Sequence, residues 1–359
     1  CGANEKQRAA RASSQAVLVT LIAGAFFTVV TLSLSGVIPH WMQVDEDIRE
    51  LASEYFFILY APMLFRAASI IFGTVLRAAG DTKTPMRVGI LVNAVNIAGN
   101  FLLIYPTRTK TLFGVSVKIY GAGLGVLGAA AASAASFVVG GVLISAVLFR
   151  HSELSPKGGS LKPDKEVLSE CMKIAFPNML QRFFTSLGYV FFASMINSLG
   201  SVSTAAHTVA NTVESAFYIP GYGMQTAAAT LTGNCIGASD KARQRGISRM
   251  ITLIEVTLMI ISGGLLFVFA PQLVRLFSKD GEVISLGASV LRMVALSEPF
   301  YGVSIITEGM LQGAGKTVKP FIFNVICMWG VRILGTFICV NVLHFGLISA
   351  WGCMIADNM

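Results

Sequence analysis

LRAAGDTKTP, residues 76–85, and LQGAGKTVKP, residues 311–320, are two copies of one segment set 235 residues apart. At the same offset Gly2-Ala3 falls on Gly237-Ala238, Lys6 on Lys241, Arg8 on Arg243, Asp45 on Asp280, Phe65 on Phe300 and Ile70 on Ile305. One constant shift over some 85 residues marks an internal repeat. Each copy lies between long apolar runs, so each reads as a turn between helices. Glycine ends one helix and proline opens the next in its first turn. The second copy contains GAGKT, residues 313–317, which resembles the end of a nucleotide-binding P-loop. A P-loop needs a glycine, four residues, then Gly-Lys-Ser/Thr, and the position of that first glycine holds Met310. The lysine of the motif, Lys316, is Asp81 in the other copy. The segment is therefore half of a duplicated turn, and ATP or GTP binding is not expected there.

The flanking runs set the class. The chain has 359 residues, 54% hydrophobic and 13% charged, with a mean hydropathy of +0.69. Soluble domains carry about 25% charge. Apolar segments fall at 16–39, 51–76, 88–105, 124–149, 174–199, 205–234, 247–271, 283–311 and 320–343, and a tenth starts near 345. Each complete run is near or above the ~20 residues that cross a bilayer as a helix. They are too long, and too poor in strict alternation, for membrane strands. The expected fold is all-α: a polytopic membrane protein with about nine complete helices and one partial.

The repeat also predicts what surrounds the chain. The second copy begins near Glu166, so the first would begin about 70 residues before Cys1. That leaves room for two more helices, and the last helix would need roughly 15–25 more residues. The chain reads as a fragment of a protein with two bundles of six helices. An even number of helices per copy gives both the same orientation, a parallel repeat. CGANEKQRAAR, residues 1–11, reads as a loop following an earlier segment. Six cysteines form no CxxC pair and read as small apolar residues.

Charge sets an expected orientation. Seventeen lysines and arginines lie in alternate loops and six in the others. The richer side, which includes Arg77, Lys83, Arg150, Lys241, Arg243 and Lys316, should face the cytoplasm. The net charge of +8 is then an orientation signal that needs no nucleic acid to explain it. HSELSPKGGSLKPDKE, residues 151–166, is the most polar stretch and joins the two bundles.

GTVLRAAGDTKTPM (73–86), VNAVNIAGNFLLI (92–104), GVLGAAAAS (125–133), IPGYGMQTAAATLTGNCIGASDK (219–241) and EGMLQGAGKT (308–317) together resemble the multidrug and toxic compound extrusion family. The resemblance covers the whole chain. It implies an N-lobe over 1–150 (family helices three to six), a cytoplasmic linker over 151–165, and a C-lobe over 166–359 (helices seven to eleven and the start of twelve). It also implies a secondary antiporter in a bacterial inner membrane. Such a protein exports organic, often cationic, compounds in exchange for inward Na⁺ or H⁺, with no other cofactor and as a monomer.

Polar groups within the spans are the candidate sites, because each is costly in hydrocarbon. Asn93, Asn96 and Asn100 share a helix face. By the resemblance, Asn96 matches a cation-site asparagine and Asn100 stands where relatives often carry aspartate. Ala129 and Ser133 match the small residue and hydroxyl of the next helix. Asn96, Asn100 and Ser133 thus form a candidate Na⁺ site; polar glue between helices is the competing reading. In the second half, Asn178, Gln181, Arg182, Thr185 and Tyr189 form a stripe. The glutamate that relatives place near Thr185, and their acid near Tyr301, are absent, so those sites are not carried over. The chain has its own acids. Glu214 shares a face with Asn211, Tyr218 and Gln225, ahead of Pro220-Gly221, where a helix can bend. Glu255 lies about nine residues into its run. Glu298 and Glu308 share a face with Tyr301 and Gln312. Glu214 and Glu255 are the candidate coupling carboxylates, with Arg182 and Arg332 as possible structural partners. Gln181, Thr185, Tyr218, Tyr301 and Glu298 are candidate cavity residues. Glu308 reads as lying too near a cytoplasmic turn. Fourteen methionines and 24 phenylalanines suit an adaptable greasy cavity as well as a lipid face.

Among rival classes, a polytopic enzyme is disfavoured. There is no HExxH or Gly-x-Ser-x-Gly, and the histidines are scattered at 40, 151, 207 and 344. A flippase for a lipid-linked sugar would need a groove lined with arginines; Arg66, Arg182, Arg292 and Arg332 keep that reading open.

Overall fold

The computed structural model describes residues 2–3, 5–42, 44–112, 115–152, 154–156 and 161–358. The chain forms two compact units, one over Ala3–Leu168 and one over Ser169–Met359. The first contains α1 (Lys6–Leu34), α2 (Ile38–Trp41), α3 (Glu46–Tyr60), α4 (Met63–Ala78) and α5 (Lys83–Leu103), then a hairpin of β1 (Pro106–Leu112) and β2 (Val115–Ala122), and α6 (Gly125–Arg150). After α7 (Lys165–Asn197), the second contains α8 (Ser201–Gly237), α9 (Lys241–Arg275), α10 (Gly281–Ala295), α11 (Glu298–Gly313) and α12 (Val318–Ile326). It continues through α13 (Leu334–Phe337), flanked by π-helical turns at Cys327–Ile333 and Ile338–Val342, to α14 (Leu347–Asn358). Among the described residues the fold is all-α apart from this hairpin.

The repeat holds at the level of elements. Adding 235 to the bounds of α3 gives those of α10, and adding it to those of α4 gives those of α11. The first residues of α1 and α5 map onto those of α9 and α12. Both copies break at the same place. Pro62 lacks an N–H and separates α3 from α4 with a bend of 42°. In the second copy Ser297 donates its hydroxyl to Val294 O at 2.7 Å, Pro299 follows, and α10 and α11 meet at 55°.

The quoted turns close identically. Asp81 N–H bonds Leu76 O at 3.0 Å and Gly80 N–H bonds Arg77 O at 2.9 Å. Lys316 N–H bonds Leu311 O at 2.9 Å and Gly315 N–H bonds Gln312 O at 3.0 Å. This is the six-to-one and five-to-two pair that ends a helix on a left-handed residue, and Gly80 and Gly315 supply φ of +94° and +72°. Lys316 thus closes a helix with its backbone, which accounts for GAGKT without a nucleotide.

Among the described residues, five helices or continuous stretches (Gln7–Leu34, α5, α6, α9 and Val318–Val342) are long and apolar enough to span a bilayer, and the two bent pairs bring this to seven. Helices α7 and α8 have 33 and 37 residues, but their polar side chains interrupt the apolar run, so neither holds a continuous stretch as apolar as those five. Their length matches the expected spans, and their polar side chains turn out to build the site. The outer faces carry Ile22, Phe26, Val29, Ile90, Ile97, Ile260 and Val268, whereas the interior takes small residues such as Ala130, Ala132, Ala206 and Ala210. Lipid removes the incentive to bury large apolar side chains, so helices approach through small ones. Gly309 and Gly313 of α11 lie directly on the backbone of Gln225 and Ala229 in α8, and a Cβ at either would collide.

Three sequence expectations change. Residues 6–11 are helical, since α1 begins at Lys6; Cys1 and Asn4 of that stretch lie outside the described residues. The first run ends at Leu34 and not at 39, because a turn intervenes before α2. The hairpin was unforeseen, although TRTKT alternates with period two. It pairs Arg108 with Ile119 and Leu112 with Val115, and Gly123, Leu124 and Gly125 donate their N–H groups to Tyr105, Leu103 and Ile104 at the end of α5. Within the stretch joining α6 to α7, residues 153 and 157–160 lie outside the described residues. Its far end is tied down by Gln15, which donates to Lys162 O at 3.0 Å and accepts from Asp164 N–H at 3.1 Å.

Gly80→Ala and Gly315→Ala should each lower stability by about 1 kcal/mol through backbone strain alone. A Cβ at Gly80 meets nothing within 4 Å, and one at Gly315 meets only Ile174 Cδ1 at 3.7 Å. Denaturant unfolding of the purified variants measures this. A gain in stability at either position contradicts the shared helix-end geometry.

Candidate functional site

In the first unit the asparagines form a chain. Asn96 Nδ2 on α5 donates to Ser133 Oγ on α6 at 3.0 Å, and Asn100 Nδ2 donates to Asn96 Oδ1 at 3.1 Å. Asn93 is exposed, one turn away. The helices meet closely because Gly99 faces Ala132 and Gly128 lies on Leu103. Ala129 is half-buried on the same stretch of α6. Asn100 Oδ1 is buried and receives no hydrogen bond. The structure therefore joins Asn96, Asn100 and Ser133 in one hydrogen-bonded chain. Each amide donor is spent on a neighbouring side-chain oxygen, which is how polar groups glue helices. One acceptor oxygen is left open, too few by itself for an oxygen cage.

The second unit encloses a cavity of about 490 Å³. Its α7 wall is the predicted stripe: Gln181, Arg182, Thr185 and Tyr189. Tyr222 of α8, Tyr301 and Glu308 of α11, and Asn324 and Arg332 of the last span close it. The polar groups hold one another in place. Glu308 Oε1 accepts from Gln181 Nε2 at 2.8 Å and from Gln312 Nε2 at 3.0 Å. Thr185 Oγ1 donates to Asn324 Oδ1 at 3.2 Å, and the Tyr222 and Tyr301 hydroxyls lie 3.1 Å apart. Arg332 Nη2 pairs with Asp357 Oδ2 at 2.7 Å and donates to Asn358 Oδ1 at 3.0 Å. Its guanidinium stands 5.4 Å from the ring centre of Tyr189. The first π-helical turn carries Arg332; an inserted residue re-aims a helix face by about 100°. The cavity thus offers phenols, amides, one paired arginine, and Arg182 without an ion pair among the described residues.

Behind it lie three buried acids. Glu255 of α9 is fully buried, and both its carboxyl oxygens lack a hydrogen-bond partner. Glu298 of α11 is 2% exposed with Oε2 unpartnered, and Glu214 of α8 is 7% exposed. Glycines make room for them. A Cβ at Gly221 would come within 2.8 Å of Glu255 Oε1, one at Gly302 within 3.3 Å of Glu255 Cγ, and one at Gly263 within 3.3 Å of Glu298 Cβ. Arg332 forms its ion pair with Asp357, and among the described residues none of the three acids is in an ion pair. A carboxyl so placed needs a proton or a cation to be tolerated.

Of the predicted cavity residues, Gln181, Thr185 and Tyr301 line the space. Tyr218 lies one layer back, edge-on to Tyr222 and Tyr301 at 5.5 and 6.2 Å, and donates to Ser215 Oγ at 3.3 Å. Glu298 lies with the buried acids and off the cavity wall. Glu308, read from sequence as too near the turn, is on the wall. Asn324 and Asp357 were missed; each is a single polar residue in an apolar run with no pattern around it. Among the described residues no cluster of three or more His, Cys, Asp and Glu side chains is arranged to hold a metal.

Comparison with known proteins places this geometry. The MatE family model matches residues 1–102 and 177–338. A probable multidrug resistance protein NorM of Thermotoga maritima is 27% identical over 99% of this chain and 74% of its own length. The multidrug export protein MepA of Staphylococcus saprophyticus is 23% identical over the whole chain and 76% of its own length. A MOP superfamily transporter from Pyrococcus furiosus, described by a reverse polarity of its binding pocket, superposes with a TM-score of 0.88 at 24% identity, covering 100% of this chain and 77% of that one. An outward-facing multidrug resistance MATE family transporter gives 0.86 at 23% identity, with the same coverage. At these identities the structures speak for the fold alone.

Removing one member of the buried pair should cost about 3–5 kcal/mol, and replacing both by apolar residues should restore most of it. Arg332→Met and Asp357→Leu are thus each expected to lower the unfolding midpoint, and the double variant to recover it. A double variant as unstable as the sum of the singles contradicts a pair that is self-contained.

Proposed function

The chain belongs to the MatE family, and from that membership we propose that it is a multidrug efflux transporter working as a secondary antiporter. It sits as a multi-pass protein in a bacterial inner membrane, monomeric, with its basic loops cytoplasmic. Its substrates are small organic compounds, cationic ones among them. The names of the similar proteins support drug efflux. The observation that carries the coupling is the set of buried acids: Glu255 and Glu298 have unpartnered oxygens, and among the described residues no basic side chain forms an ion pair with them.

The coupling ion is H⁺. Glu214, the most accessible of the three, exchanges the proton, while Glu298 and Glu255 stand behind it. The phenols, amides and Glu308 of the cavity meet the substrate. Alternating access of two lobes carries it across, and the proton biases the states only if the acids are protonated to different extents in each. The asparagine chain Asn96–Asn100 holds α5 to α6, which leaves Na⁺ coupling there the weaker reading. A flippase lined with arginines gains no support. Arg66 stacks on Phe137 at 4.9 Å, Arg292 lies over Phe267 at 5.8 Å and Arg332 is paired, which leaves Arg182 as a single cavity arginine without an ion pair among the described residues.

The test uses everted vesicles containing the full-length protein, a fluorescent organic cation, and Na⁺ and pH gradients imposed separately. Transport is expected with the pH gradient alone. Glu214→Gln should abolish it, together with drug resistance in a sensitive host, while the protein still reaches the membrane. Full resistance with Glu214→Gln sinks the assignment of that carboxyl, and transport driven only by Na⁺ returns the coupling to Asn96, Asn100 and Ser133.

A further inference from the structure

Helix α9 changes character along its length. Its first turns expose Lys241, Arg243, Arg245 and Arg249, and the outer face beyond is hydrocarbon. Leu253, Thr257, Ile261 and Leu265, spaced by four, form one stripe. That stripe and Phe217 and Pro220 of α8 enclose an open cleft of about 660 Å³. Pro220 explains the opening: its ring crowds the preceding turn and it offers no N–H to Ala216. The cleft is apolar in effect as well as in composition. Thr257 spends its hydroxyl on Leu253 O at 2.8 Å, and Ser262 spends its own on Phe217 O at 3.0 Å.

A second hollow of about 440 Å³ joins it at Leu253 and is walled by Ser248, Arg249 and Thr252. Here the polar groups are unspent. Arg249 is exposed and makes no ion pair among the described residues, and the Ser248 and Thr252 hydroxyls bond no described group. Leu253 to Leu265 covers ~18 Å of helix axis. That is close to half the ~30 Å hydrocarbon core, the depth of one leaflet.

We infer that the α8–α9 face binds one anionic phospholipid, its phosphate held by Arg249, Ser248 and Thr252 and one acyl chain lying in the cleft over Pro220. The charge fits the headgroup. A guanidinium fork matches phosphate oxygens, and a basic residue at the membrane surface attracts anionic headgroups. The spent hydroxyls fit the chain. The site does not depend on what the protein transports.

Native mass spectrometry of the purified full-length protein tests it, with phosphatidylglycerol and phosphatidylethanolamine of identical chains as probes. One phosphatidylglycerol should be retained in preference. Arg249→Gln should weaken retention about fivefold, the worth of one basic residue at a membrane surface. Thr257→Trp, which fills the cleft, should weaken it by a similar factor, while Arg243→Gln, outside the hollow, should bind as the unaltered protein does. All three positions are exposed, so the substitutions leave the core intact. Equal retention of the two lipids overturns the proposal, as does a loss with Arg243→Gln equal to that with Arg249→Gln. So does unchanged binding with Thr257→Trp. Displacement of the lipid by inorganic phosphate reduces the site to a headgroup anion site and overturns the chain-binding half.

Discussion

Hydrocarbon offers a peptide group no hydrogen-bond partner, so a chain crossing it must satisfy each N–H and C=O from within. That constraint writes the architecture. It forces long helices, and it makes each interruption conspicuous because the freed groups must find partners. The breaks at Pro62 and Ser297 fall at equivalent positions of the two copies, and in the second the Ser297 hydroxyl takes up Val294 O. The widened turns of 327–333 and 338–342 relieve the same strain without opening the helix. Where the chain leaves the helical frame, between α5 and α6, it makes a hairpin whose far end turns back to cap α5.

The same constraint explains what could be read in advance. The frame was legible because it is duplicated: a single offset predicts the ends of α3, α4, α10 and α11, and the glycine turn after each pair. The Gln181–Arg182–Thr185–Tyr189 wall was legible because four polar residues at helical spacing stand out in an apolar run. What failed was anything set by contact between distant segments. Asp357 carries no local mark of its pairing with Arg332, 25 residues away in sequence. Glu308 looks like a loop residue until Gln181 of α7 is seen to reach it. The hairpin escaped because two short polar strands carry a weak period among runs of far stronger signal.

The two copies also separate scaffold from chemistry. Glu255 corresponds to Thr20, Glu298 to Met63, Tyr301 to Arg66 and Glu308 to Gly73. Thr20 returns its hydroxyl to Ala16 O at 2.7 Å and asks nothing of its surroundings. The first copy thus builds the same bent pair and the same turn without a buried acid. Gly302 and Gly263, which make room for the Glu255 and Glu298 side chains, stand where the first copy has Ala67 and Thr28. Acid and clearance occur together in one copy and are both missing from the other. A carboxyl that the fold does not need, and for which the fold has emptied space, is tolerated in hydrocarbon only while something neutralises it. Asp357 does this for Arg332, whereas among the described residues no side chain forms an ion pair with Glu255 or Glu298.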